Sequence, residues 1–81
     1  MTSVIFGPEY EILPKVLVEQ RVRAGLSQRS LAKLMCRSHV HIFRLETRQT
    51  RIELVEFCNY VRACGQDPTS VLADMLERLG R

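Results

Sequence analysis

The chain has 81 residues, 46% of them hydrophobic, and 12 basic against 9 acidic side chains give a net charge of +3. This length allows one domain with a small core. The hydrophobic share excludes a disordered chain, and the mild charge excludes both an acidic tail protein and a histone-like polycation.

Residues 1–14 are expected to form an N-terminal arm, and residues 15–81 the folded domain. In the arm, Val4, Ile5, Phe6, Tyr10 and Ile12 surround Gly7-Pro8, an irregular pattern with room for a short strand. Pro14 suits the first turn of a helix, where its missing N–H costs nothing. From Lys15, Val18, Val22 and Leu26, with Leu17 and Ala24, make a helical stripe that ends near Gly25. Ser27 is a candidate N-cap for a second helix, Gln28 to Met35, with Leu31, Ala32, Leu34 and Met35 apolar. Arg37-Ser38 breaks that helix. Ser38 caps a short third one, with Ile42 and Leu45 inward and His39, Val40, Phe43 and Arg44 outward or N-terminal.

Thr47 to Arg51 form a loop. A fourth helix over Ile52 to Cys64 carries Leu54, Val55, Cys58 and Val61, with Phe57 on its flank, and Gly65 is its C-cap. Asp67-Pro68 starts a fifth helix whose apolar face is Val71, Leu72, Met75, Leu76 and Leu79. Five helices with short connections and no interior sheet predict an all-α domain.

Charge is unevenly placed along these elements. Residues 1–14 sum to −2 and residues 52–81 to −2, whereas residues 15–51 hold nine basic against two acidic side chains, or +7. A basic module of this kind suits a polyanionic partner.

Other chemistry is not expected. Cys36, Cys58 and Cys64 are odd in number and form no CxxC pair, which fits a reduced, cytoplasmic compartment. Cys36, His39 and His41 lie close in sequence but lack a second ligand cluster, so no metal is predicted. No acid–base pair or nucleophile stands out, so neither an enzyme nor a cofactor is predicted. No run approaches the ~20 apolar residues of a membrane span, and no secretion signal opens the chain.

Two short helices joined by a turn, the second capped by Ser38, have the layout of a helix-turn-helix. Gly25-Leu26-Ser27-Gln28, Leu31-Ala32, Ser38, Ile42 and Arg44-Leu45-Glu46 resemble the Cro/C1-type, or XRE-like, helix-turn-helix family. Glu53-Leu54-Val55-Glu56-Phe57, Ala63-Cys64-Gly65 and Asp67-Pro68 extend the resemblance across residues 15–77.

The resemblance implies a compact five-helix domain that binds double-stranded DNA. It implies base reading at His39, Val40, Phe43 and Arg44, backbone contact at Gln28 and His41, and a structural ion pair between Arg21 and Glu46. The residues themselves add detail. A guanidinium at Arg44 matches guanine O6 and N7. His39 suits a base or a phosphate, and Val40 a thymine methyl. Phe43 suits either a thymine methyl or packing against the arm. Arg29, Arg48 and Arg51 are candidate phosphate contacts.

The function implied is a sequence-specific transcriptional regulator, a repressor acting at operator DNA as a homodimer. The Val71–Leu79 face and the arm are the candidate dimer contacts. The alternative is an antitoxin or other protein-interaction module on the same fold, with a toxin or other small protein as partner. Three features depart from the family pattern. Cys36 stands where the turn often has glycine, Thr47-Arg48 replaces Asn-Gly, and the third helix has few amide side chains.

Overall fold

The computed structural model describes residues 8–80, with side chains from Glu11 onward. The described residues form α1 (Pro8–Arg23), α2 (Gln28–Met35), α3 (His39–Glu46), α4 (Leu54–Ala63) and α5 (Pro68–Arg78), and no strand occurs among them. Val4, Ile5 and Phe6, and the strand expected there, lie outside the described residues.

The first helix begins at Pro8 rather than at Lys15, so the second half of the expected arm is helical and Pro14 sits inside the helix. An interior proline costs ~3 kcal/mol through its lost hydrogen bond and ring clash. Val16 and Leu17 are fully buried one turn on, and such burial stabilises by about 1.5–3 kcal/mol per side chain. Packing therefore outweighs the local penalty, and Pro14 is itself buried.

The inward face of α1 also differs from the expected stripe. Val16, Leu17 and Gln20 are buried, whereas Val22 is 63% exposed. Buried Gln20 interrupts the apolar pattern; its amide donates to the Val16 carbonyl at 3.3 Å.

Helices α2 and α3 start at serine caps. Ser27 Oγ accepts from the Ser30 N–H at 3.0 Å, and Ser38 Oγ from the His41 N–H at 3.1 Å. Both satisfy donors that a helix start leaves free. Asp67 does the same for α5, accepting from the Thr69 N–H at 3.2 Å.

Four connections share one C-terminal geometry. Gly25, Cys36, Arg48 and Gly65 all have positive φ, at 74°, 55°, 64° and 77°. The following residues close back onto the helix: Leu26 N–H to Arg21 O at 3.1 Å, Arg37 N–H to Ala32 O at 2.9 Å, Gln49 N–H to Arg44 O at 3.0 Å, and Gln66 N–H to Val61 O at 3.1 Å. This left-handed cap favours glycine, and a side chain in it costs about 1–2 kcal/mol. Cys36 is exposed, so its thiol contributes no core packing. Cys36→Gly is therefore expected to stabilise the fold by about 0.5–1 kcal/mol once the added freedom of the unfolded chain is deducted. That corresponds to a rise of roughly 4 °C in thermal midpoint. A fall in midpoint would contradict the strain assigned to Cys36.

The core is built from Val16 and Leu17 of α1, Leu31 and Ala32 of α2, Ile42 and Leu45 of α3, Phe57, Tyr60 and Val61 of α4, and Val71 and Met75 of α5, with Cys64 beside them. On α4 the buried stripe is Phe57, Tyr60, Val61 and Cys64, whereas Leu54 and Val55 at its start are 72% and 68% exposed. The expected α4 face was thus turned too far toward the N-terminal residues. On α5, Leu72 and Leu76 are more exposed than Val71 and Met75. Leu54 and Leu72 line an open apolar depression of about 230 Å³ with Leu13, Ile52, Phe57 and Met75.

Candidate nucleic-acid interface

Helix α3 has two faces with different duties. Ile42 and Leu45 are completely buried, and they hold the helix against α1 and α2. Val40 and Phe43 are 52% and 44% exposed, and Arg44 is exposed beside them. Positions 40, 43 and 44 follow the i, i+3, i+4 spacing that shares one helix face. Among the described residues, no side-chain hydrogen bond or ion pair engages Arg44. A short helix with one anchored side and one free side fits the major groove, where base edges present distinct donors, acceptors and methyl groups.

A carboxylate at the end of α3 anchors the helix. Arg21 of α1 grips Glu46 with two bonds, Nε to Oε2 at 2.7 Å and Nη2 to Oε1 at 3.0 Å. Its remaining nitrogen, Nη1, donates to the Leu26 carbonyl at 3.0 Å. Gln28 of α2 donates from Nε2 to Glu46 Oε1 at 2.9 Å, and the Tyr60 hydroxyl of α4 donates to Oε2 at 2.5 Å. Four helices thus meet at one carboxylate whose side chain is 4% exposed.

Burial alone would raise the Glu46 pKa. Hydrogen bonds from Arg21, Tyr60 and Gln28, with the Arg21 charge, bring it below the ordinary carboxylate value. Burial and the neighbouring carboxylate push the Tyr60 phenol well above its ordinary value, so it remains a donor. Burial also pushes the Cys64 thiol up to about 11, which keeps it protonated and inert.

A second polar cluster ties the start of α3 to α4. The His41 ring pairs with Glu56 Oε2, and Arg37 Nε lies 4.0 Å from the same oxygen. Among the residues singled out for backbone contact, the side chains of Gln28 and His41 are thus engaged within the protein. Arg48 Nη1 lies 3.3 Å from Glu11 Oε2, which turns it toward α1, and it has a left-handed backbone with φ 64°. Arg29 and Arg51 are exposed, and His39 is half-buried.

The sequence assigns no site role to Tyr60, and it gives Glu56 only as part of the Glu53–Phe57 run, not as the partner of His41. Tyr60 was available in the 57, 60, 61, 64 spacing, which is a helical stripe once Leu54 and Val55 are set aside. Glu56 left no such trace, because pairing with a histidine fifteen positions earlier depends on how α3 and α4 pack. Among the described residues no cluster of His, Cys, Asp or Glu has the form of a metal site. No described helix is long and apolar enough to cross a membrane.

No protein-family profile matches the chain, and no curated protein matches it. Solved structures do. An XRE-family-like protein from Pseudomonas syringae pv. tomato str. DC3000 superposes with a TM-score of 0.82 at 28% identity, covering 86% of this chain and 85% of that one. The clp gene regulator ClgR from C. glutamicum superposes with a TM-score of 0.76 at 21% identity, covering 89% of this chain and 94% of that one. At that identity the second likeness speaks for the fold alone.

Proposed function

We propose, from the all-α Cro/C1-type helix-turn-helix fold that this chain shares with an XRE-family-like protein over most of its length, that it is a sequence-specific DNA-binding transcriptional regulator. It acts as a repressor by occupying operator DNA as a homodimer. The observation that carries this reading is the exposed Val40, Phe43 and Arg44 face of α3, on a helix whose other side is fully buried.

In this reading α3 enters the major groove. Arg44 reads guanine, His39 lies beside the bases, and Arg29 and Arg51 meet phosphates together with the N-terminal turn of α2 at Gln28. His41 and Arg48 meet phosphates only after loosening their carboxylate partners. The net +7 over residues 15–51 supplies the attraction. A dimer doubles a small interface and reads two half-sites. The exposed Leu72 and Leu76, with the apolar depression beside them, support self-association.

The test is selection of binding sites from a randomised duplex library, followed by mass determination of the complex. The expected result is a two-fold symmetric site carrying two copies of the chain. Equal binding to random and selected duplexes overturns sequence-specific regulation, and a complex with a second protein but no DNA favours the antitoxin reading. Salt gives a further check. Two arginine–phosphate contacts per copy predict a slope of log K against log salt of roughly −4 for the dimer. A slope near zero rules out Arg29 and Arg51 as phosphate contacts.

A further inference from the structure

We propose that Val40 and Phe43 together form an apolar clasp that reads the 5-methyl group of thymine, next to a guanine held by Arg44. The proposal rests on the DNA-binding reading above and names what the α3 face selects.

Val40 and Phe43 lie three residues apart, on the same face of a regular helix of eight residues. They are 52% and 44% exposed although Ile42 and Leu45 beside them are fully buried. The apolar pair therefore belongs to the outer face and adds little to the core. Neither side chain donates or accepts a hydrogen bond. Among the groups that base pairs display in the major groove, the thymine methyl is the one that such side chains match. A cytosine in its place presents an amino donor to two hydrocarbon surfaces, which leaves that donor without a partner.

Arg44, four residues after Val40 and one after Phe43, brings a cation to the same face. That charge makes a duplex a better occupant than an apolar protein surface. Its planar fork fits guanine O6 and N7. The combined preference is thymine adjoining guanine.

The experiment replaces thymines of the selected duplex by uracil, one position at a time. Uracil keeps the Watson–Crick pairing and the O4 acceptor and removes only the methyl group. Removing one methyl from a dry contact is expected to weaken binding about fourfold, at a thymine adjoining a guanine in each half-site. Val40→Ala and Phe43→Ala are each expected to reduce that thymine-to-uracil ratio, and the double variant to bring it to one. Both residues are exposed, so the variants are expected to melt within about 3 °C of the wild type.

Specific binding with equal affinity for thymine and uracil duplexes overturns the clasp while leaving DNA reading intact. So does a thymine-to-uracil ratio that survives the double variant. A large loss of stability on Phe43→Ala also overturns it, because Phe43 then packs within the protein. No preference of the wild type for the selected duplex over random DNA overturns both this proposal and the reading beneath it.

Discussion

Glu46→Ala is expected to lower the stability of this domain by about 3 kcal/mol, which is a fall of roughly 12 °C or more in thermal midpoint. The carboxylate accepts from Arg21, Gln28 and Tyr60 at 2.5–3.0 Å. Its loss strands a guanidinium whose side chain is only 15% exposed, and it leaves a buried phenol without an acceptor. Breaking a buried pair by removing one partner costs about 3–5 kcal/mol, and partial access of water to Arg21 places this case at the low end. A shift below about 4 °C would show that water replaces the carboxylate readily.

The same network sets an acid dependence. The folded-state pKa of Glu46 lies below its ordinary value of 4.5, so the unfolded chain takes up the proton first as pH falls. The stabilisation is fully present above about pH 4.5 and is lost as pH drops through the lower folded value. Glu19 titrates in the same sense, because its bond from Arg78 lowers its pKa, but that pair is exposed and screened. Thermal melts between pH 7 and pH 3 on the wild type and on Glu46→Gln separate the two. The variant is expected to start lower and to lose less on acidification.

Arg44→Ala is expected to leave the fold intact and to weaken binding by about 1–3 kcal/mol, or roughly 5–150-fold, for each half-site of the selected duplex. The loss falls on one base pair of each half-site, because a guanidinium paired to guanine reads sequence, whereas a phosphate contact does not. Arg51→Ala is the contrast. It is expected to weaken all duplexes alike and to reduce the salt slope of the dimer by about two, one for each copy. If Arg44→Ala weakens random and selected duplexes equally, Arg44 is a backbone contact and the base assignment fails.

Most of what the sequence makes legible in this fold is governed by local chemistry; the Arg21–Glu46 pair, implied by the family resemblance and present in the structure, is the exception. Ser27 and Ser38 marked the starts of α2 and α3, because a hydroxyl at a helix start has one obvious task. Ile42 and Leu45 followed from the cap by spacing alone. The start of helix α1 is hidden in the sequence because Pro14 reads locally as a start signal, and the burial of Val16 and Leu17 that overrides it is a tertiary effect. Gln20 hid the true inward face by placing an amide inside an apolar stripe. At the candidate site the spacing gives His39, Val40, Phe43 and Arg44 as the outward or N-terminal positions of α3; the last three are exposed, whereas His39 is half-buried. The engagement of Gln28, His41 and Arg48 by Glu46, Glu56 and Glu11 was not foreseen, since each pairing joins segments whose approach only the packed structure sets.

The two faces of α3 bear on how such a protein changes its target over generations. Ile42, Leu45 and Glu46 supply the anchorage, while Val40, Phe43 and Arg44 lie outside the core. Codons for the outer three are free to vary with little thermodynamic penalty. If α3 reads DNA as proposed, a lineage can move from one recognition sequence to another by stepwise substitution, each intermediate remaining folded. Divergence in target and constancy of architecture are then compatible outcomes of one eight-residue segment.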